Sequence, residues 1–182
     1  MVNLAKLRFL GLLACITMTT SALAAEMSKS NQSAQVAHGK YLVTFGGCTD
    51  YHTPGTFKTG KPDRDKFLAG SDFAFNLGPA GLVVPRNITP DKETGLGNWT
   101  DDQIFKALTT GVRPDGRTLS VMPWPAYHEL TKSDAMAIVA YLRTIKPVHN
   151  EIPGPYGPND KVSVFVSTMV PADVYNAKLK KD

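Results

Sequence analysis

Residues 53–85 set the tightest limit on what this chain can become. They are crowded with Gly and Pro and carry no sustained helical or strand period, so they read as one long loop with short turns. A loop of that length inside a compact domain is usually a functional cover. Helical patterns stand on both sides of it. From Ala34 onward, Val36, Gly39, Lys40, Tyr41, Leu42 and Val43 recur at three- and four-residue spacing, and Gly46-Gly47 stops the helix. Thr100 and Gln103 form a capping box ahead of Ile104, Phe105 and Leu108; Gly111 ends that helix and Pro114-Asp115-Gly116 makes a turn. Thr131 caps a third helix with Asp134 in its first turn. Met136, Ile138, Val139, Tyr141 and Leu142 supply its apolar side, and Pro147 closes it. The expectation is an all-α fold, three main helices around long loops with almost no strand.

A chain of 182 residues can bury one good core but hardly two. Residues 1–24 read as a signal peptide: Lys6 and Arg8 form the basic start, residues 9–18 the apolar stretch, and Ala22-Leu23-Ala24 a small-residue cleavage site. The apolar stretch falls short of the about 20 residues of a membrane span. Leu12-Leu13-Ala14-Cys15 also resembles a lipoprotein box, which makes lipid anchoring at Cys15 a minor alternative. Residues 25–34 read as a flexible leader, 35–147 as the folded domain and 148–182 as a C-terminal extension with a basic tail at Lys178, Lys180 and Lys181. Removing Lys6 and Arg8 lowers the net charge from +4 to +2, which gives nucleic-acid binding little support. Cleavage also removes Cys15 and leaves Cys48 as the only thiol in an oxidising compartment, so no intramolecular disulfide can form. A small helical domain with so much irregular chain has difficulty filling its core with side chains alone. A flat apolar cofactor such as haem would give the loop residues something to pack against.

Several motifs follow one another in a fixed order. Gly39-Lys40-Tyr41-Leu42 precedes Gly46-Gly47-Cys48, then His52-Thr53-Pro54-Gly55. Asn87-Ile88-Thr89-Pro90-Asp91 leads to Thr94-Gly95-Leu96-Gly97 and Trp99-Thr100. Ala107-Leu108 and Gly111-Val112-Arg113-Pro114-Asp115-Gly116 precede Met122-Pro123-Trp124-Pro125-Ala126-Tyr127 and, last, Ala140-Tyr141-Leu142-Arg143. Over residues 36–147 this series resembles an exported bacterial class I c-type cytochrome with a single haem.

The resemblance implies a cytochrome c fold wrapped around one haem, with Cys48 as a thioether tether and His52 as an iron ligand. A backbone carbonyl would fix the other nitrogen of His52; Pro54, Pro79 and Pro85 lie in the cover loop, and the sequence does not choose among the carbonyls there. Met122 would close the opposite side of the iron with a soft thioether, a ligand set that marks a carrier. Trp99, Arg86 and Arg113 are candidates for contacts with the haem edge and its propionates. His38, His128 and His149 lack such context. The departure from the pattern is Tyr51, which stands where a second cysteine is expected. It leaves open haem c held by one thioether through Cys48, non-covalent haem, or a haem-poor or haem-free binding or structural protein.

The implied activity is electron transfer in the periplasm, with no catalysis of its own. Partners would be a periplasmic dehydrogenase on one side and an oxidase or another cytochrome on the other. Nucleic acid is not among them, and a membrane is touched only through lipidation or docking to a membrane complex. A monomer is expected, since carriers use small, weak interfaces. A peroxidase or gas sensor needs an open position on the iron, against which Met122 argues.

Overall fold

The computed structural model describes residues 4–179, and side chains over 24–177, so the signal-peptide and Cys15 readings lie outside the residues whose side chains are described. Helix α1 (Leu4–Phe45) runs through the leader as well as the first expected helix: residues 25–34, read as flexible, continue the helix without a break. No Gly or Pro interrupts that leader, and its Ala, Glu, Lys and Gln residues favour helix. Among the described residues no helix is long and apolar enough to cross a membrane. Short helices α2 (Cys48–His52) and α3 (Thr56–Thr59) follow. Then come α4 (Asp101–Thr110), α5 (Trp124–Tyr127), α6 (Lys132–Thr144) and α7 (Ala172–Leu179).

The helix ends obey the local chemistry. Thr100 Oγ1 accepts from Gln103 N at 3.2 Å and Thr100 N donates to Gln103 Oε1 at 2.9 Å, a complete capping box. Gly111 closes α4 in the left-handed region, and Thr131 Oγ1 accepts from Asp134 N at 3.1 Å to start α6. Helices α1 and α6 cross in direct contact at Gly39, where a Cβ would fall 1.9 Å from Ala137 O. Around that crossing Val43, Leu68, Ile104, Leu108, Ala135, Ile138, Val139, Tyr141 and Leu142 form the main core.

The all-α expectation needs correction, because the cover loop and the C-terminal extension build a small sheet. Strand β1 (Phe73–Asn76) pairs antiparallel with β2 (Leu82–Val83), and parallel with β3 (Phe165–Ser167) from the extension. Beneath it Ala74, Leu82 and Val84 form a second core, packed by Ile152, Tyr156, Val162 and Val164. The extension therefore belongs to the folded body. Strands of two to four residues are too short to show a period in sequence, and the pairing joins segments about ninety residues apart.

Candidate functional site

The turn that ends α1 carries the first candidate residues. Gly46 N donates back to Leu42 O at 2.8 Å, and Gly47, at φ 69°, reverses the chain so that α2 starts at Cys48. Tyr127 in α5 donates its hydroxyl to Gly46 O at 3.0 Å, tying the Met122 segment to this turn. Cys48, Trp99, Met122 and Tyr127 all pack, partly buried, against the main core. Burial pushes the Cys48 thiol up to about 11, and the Asp50 charge adds to the effect. It pushes the Tyr127 phenol up to about 12.

His52, at the other end of α2, is held at two points. Its carbonyl accepts from Gly70 N at 2.8 Å, and its ring Nδ1 lies 2.7 Å from Arg86 O. A carbonyl only accepts, so Nδ1 carries the proton and Nε2 keeps its lone pair. Burial lowers the imidazole pKa more than the bond to Arg86 O raises it, so the ring is neutral at pH 7. Next to it, Leu68 N donates to Thr53 Oγ1 at 3.1 Å, and Leu68 adopts φ 58° while wholly buried. A leucine held left-handed costs about 1–2 kcal/mol and persists because its surroundings over-determine it. The Asn87-Ile88-Thr89 turn supplies part of that frame: buried Asn87 accepts from Thr89 N at 2.9 Å and donates to Thr94 Oγ1 and Val148 O, each at 2.8 Å.

Met122 sits just before α5. Trp124 stacks so closely on Gly111 that a Cβ there would fall 2.6 Å from the indole ring, and its Nε1 donates to Leu119 O at 3.2 Å. These contacts fasten the Met122 segment to the end of α4. The hairpin between them carries Arg113 and Arg117. Asp115 pairs with Arg113 at 3.2 Å and Arg117 at 2.7 Å, and Arg113 Nε is buried with no hydrogen-bond partner. Burial, and then the Arg113 and Arg117 charges, lower the pKa of Arg86. Arg113 and Arg117 thus share one carboxylate, their charges act on Arg86, and the orphaned Arg113 Nε is a donor that a further anion would satisfy. A neutral imidazole with a free Nε2, a nearby thiol, a thioether and this unfilled cationic corner fit the donor set and carboxylates of a haem.

Tyr51 turns away into an aromatic cluster. Its ring lies 5.3 Å from Phe57 and 5.9 Å from Phe75; Phe57 and Phe73 are 4.4 Å apart. The remaining histidines have other work. His38 bonds Asp134 at 2.7 Å, His128 Nδ1 donates to Thr109 O at 3.2 Å, and His149 lies 3.3 Å from Glu93. Among the described residues no group of three His, Cys, Asp or Glu side chains could hold a metal ion by itself. Two surface grooves, one beside α1 and α6 at Gln35 and His38 and one at Thr44, Thr53 and Phe67, do not include His52 or Met122. Sequence reasoning missed the Arg86 carbonyl, the Tyr127 hydroxyl and Arg117. A tyrosine four residues before a helix N-cap and arginines flanking Asp115 were visible, but their partners are remote in sequence.

Comparison with known proteins points the same way. The chain is 40% identical over 116 residues to the fructose dehydrogenase cytochrome subunit of Gluconobacter japonicus, covering 62% of this chain and 22% of that protein. It is 35% identical over 121 residues to the alcohol dehydrogenase (quinone) cytochrome c subunit of Komagataeibacter europaeus, 64% of this chain and 23% of that one. With the gluconate 2-dehydrogenase cytochrome c subunit of Pantoea cypripedii the identity is 32% over 163 residues, 86% of this chain and 35% of the relative. All three relatives are cytochrome subunits of dehydrogenases. Similarity to them supports a c-type cytochrome and places the chain beside electron-transfer rather than catalytic subunits. The chain spans about a quarter to a third of the length of these relatives. No family model matches.

Proposed function

We propose that this chain is a single-haem c-type electron carrier of the periplasm, exported by residues 1–24, with His52 and Met122 as the two iron ligands and Cys48 as its one thioether tether. The observation that carries the reading is the His52 ring, whose Nδ1–H is committed to Arg86 O at 2.7 Å while Nε2 stays free, at the opposite end of a single helical turn from Cys48. That arrangement selects the tautomer an iron ligand needs and orients it before any metal binds. Haem supplies the one-electron couple when bound. The chain's residues would do the rest: Phe67 and Leu68 of the cover loop and Tyr127 of α5 pack with the main core, Arg113 Nε would offer a donor to a carboxylate, and Trp99 packs beside the core. The names of the relatives make a dehydrogenase of sugars, alcohols or sugar acids the natural donor, with an oxidase or a further cytochrome as acceptor.

The test is a pyridine haemochrome spectrum of protein exported from a host with haem-attachment machinery, taken before and after denaturing gel filtration. Haem that travels with the denatured chain, at the band position of one remaining vinyl, is the expected result. Haem in the native protein alone would mean non-covalent binding by the same fold. A colourless protein despite abundant haem would refute the carrier reading.

A further inference from the structure

The segment that leaves α6 is laced through the same loops that hold His52. Val148 O accepts from Asn87, Asn150 Nδ2 donates to Ala69 O at 2.9 Å, and Tyr156 pairs with Leu82 through two backbone bonds of 2.9 and 3.1 Å. Ile152 stands where both anchors of His52 converge. Its side chain lies against Gly70, where an added Cβ would come within 2.4 Å of Ile152 Cδ1, and Gly70 N is the donor to His52 O. Its carbonyl accepts a hydrogen bond from the Arg86 guanidinium, and Arg86 O is the acceptor of His52 Nδ1–H. Arg86 thus faces two ways, its side chain to the extension and its carbonyl to the imidazole. Its guanidinium is half-buried and repelled by Arg113 and Arg117, so the Ile152 carbonyl is the acceptor that keeps it in place.

We infer that Ile152 and Arg86 form a brace through which the C-terminal extension fixes the ring orientation of His52, Arg86 acting as a positioning residue through its own carbonyl. The inference rests on the reading of His52 as an iron ligand for its consequence, but not for its geometry. A firmly held Nδ1–H···O bond makes Nε2 a stronger donor, which favours the oxidised metal. A slack brace weakens that donation and raises the reduction potential.

The experiment follows the His52 Nδ1–H proton by NMR in the full-length haem-free chain, then measures the reduction potential of the haem-loaded protein. Arg86→Met keeps an unbranched flexible stem and removes the donors; Arg86→Lys restores a cationic donor; Ile152→Ala loosens the contact on Gly70 without changing the Arg86 side chain. The Nδ1–H should exchange with solvent at least about tenfold faster in Arg86→Met, the effect of losing one hydrogen bond to a charged group. Arg86→Lys should recover most of the protection, and Ile152→Ala should fall between. In the loaded protein the potential should rise in Ile152→Ala, which keeps every charge in place, whereas in Arg86→Met the loss of a cation opposes that rise. Native exchange rates in both Arg86→Met and Ile152→Ala would overturn the brace. If haem fails to bind the native chain, the carrier reading fails while the exchange rates still decide the brace; if haem binds and exchange is unmoved, the carrier reading stands and the brace falls. Should Arg86→Met not fold, Ile152→Ala carries the same comparison.

Discussion

Substituting Gly39→Ala tests the crossing on which the whole site is mounted. The added Cβ would sit 1.9 Å from Ala137 O and 2.9 Å from Tyr141 Cβ, while real Cβ atoms essentially never come closer than 3.0 Å. Helices α1 and α6 must therefore separate by roughly 1 Å, and a gap of about 0.5–1 Å already forfeits a quarter to a half of each dispersion contact. Val43 and Val139, each 1% exposed, and Ala135 and Leu142 line the seam that would open. Overpacking of this kind costs about 1–3 kcal/mol or more, and alanine returns about 0.5–1 kcal/mol of helix propensity. The buried seam puts the strain at the upper end, so a net loss near 2 kcal/mol is expected, roughly 4–8 °C in Tm for a chain of this size. Far-UV circular dichroism melts of the haem-free chain measure it. Because α1 ends in the turn that presents Cys48, haem loading on export should fall as well. An unchanged or raised Tm would refute the close crossing and with it the placement of the turn.

Two further outcomes follow from the buried charges. The Cys48 thiol, raised to about 11 from 9.0, binds its proton more tightly folded than unfolded, so the haem-free chain should lose about 2 kcal/mol of stability as pH rises from 9 to 11. Urea melts of native and Cys48→Ala chains at neutral and alkaline pH check this, since the variant should lack that part of the slope; equal slopes would count against a buried thiol. Arg113→Leu removes a buried Nε with no partner, so the haem-free chain should melt no lower than native while the haem-loaded protein weakens its hold on haem about tenfold or more. Haem titration of the two chains measures the difference, and equal affinities would exclude Arg113 from the carboxylate corner.

Much of the framework was readable because it depends on neighbours in sequence. Thr100 with Gln103, Thr131 with Asp134, and Gly46-Gly47 act within one turn, and the structure keeps all of them. What was not readable joins distant segments. The acceptor for His52 is a main-chain carbonyl thirty-four residues away, and any residue there could have offered it. The sheet failed to register because β2 is two residues long and its neighbour β1 finds its other partner in the extension. The leader read as flexible for want of an apolar period, yet a helix extended from a well-packed end needs no apolar face of its own: each added residue gains one hydrogen bond without a new nucleus.

Tyr51 is where local and distant information differ most. Read alone, it is a departure from the motif that the sequence resembles. In the fold its ring joins Phe57 and Phe75, and Phe73, on the same face of β1 as Phe75, completes the group. Such aromatic pairs contribute about 0.5–1.5 kcal/mol each beyond the area they bury. A cysteine at position 51 would forgo both pairs and leave Phe57, already 52% exposed, with less cover. Tyr51 therefore joins α2 to α3 and to the sheet, and the sheet is the part of the fold that the extension completes through β3. Tyr51 and the C-terminal segment thus bear on the same histidine: Tyr51 packs α2 against α3 and β1 just before it in the chain, and the carbonyl of Arg86, whose side chain bonds Ile152 O, holds its ring.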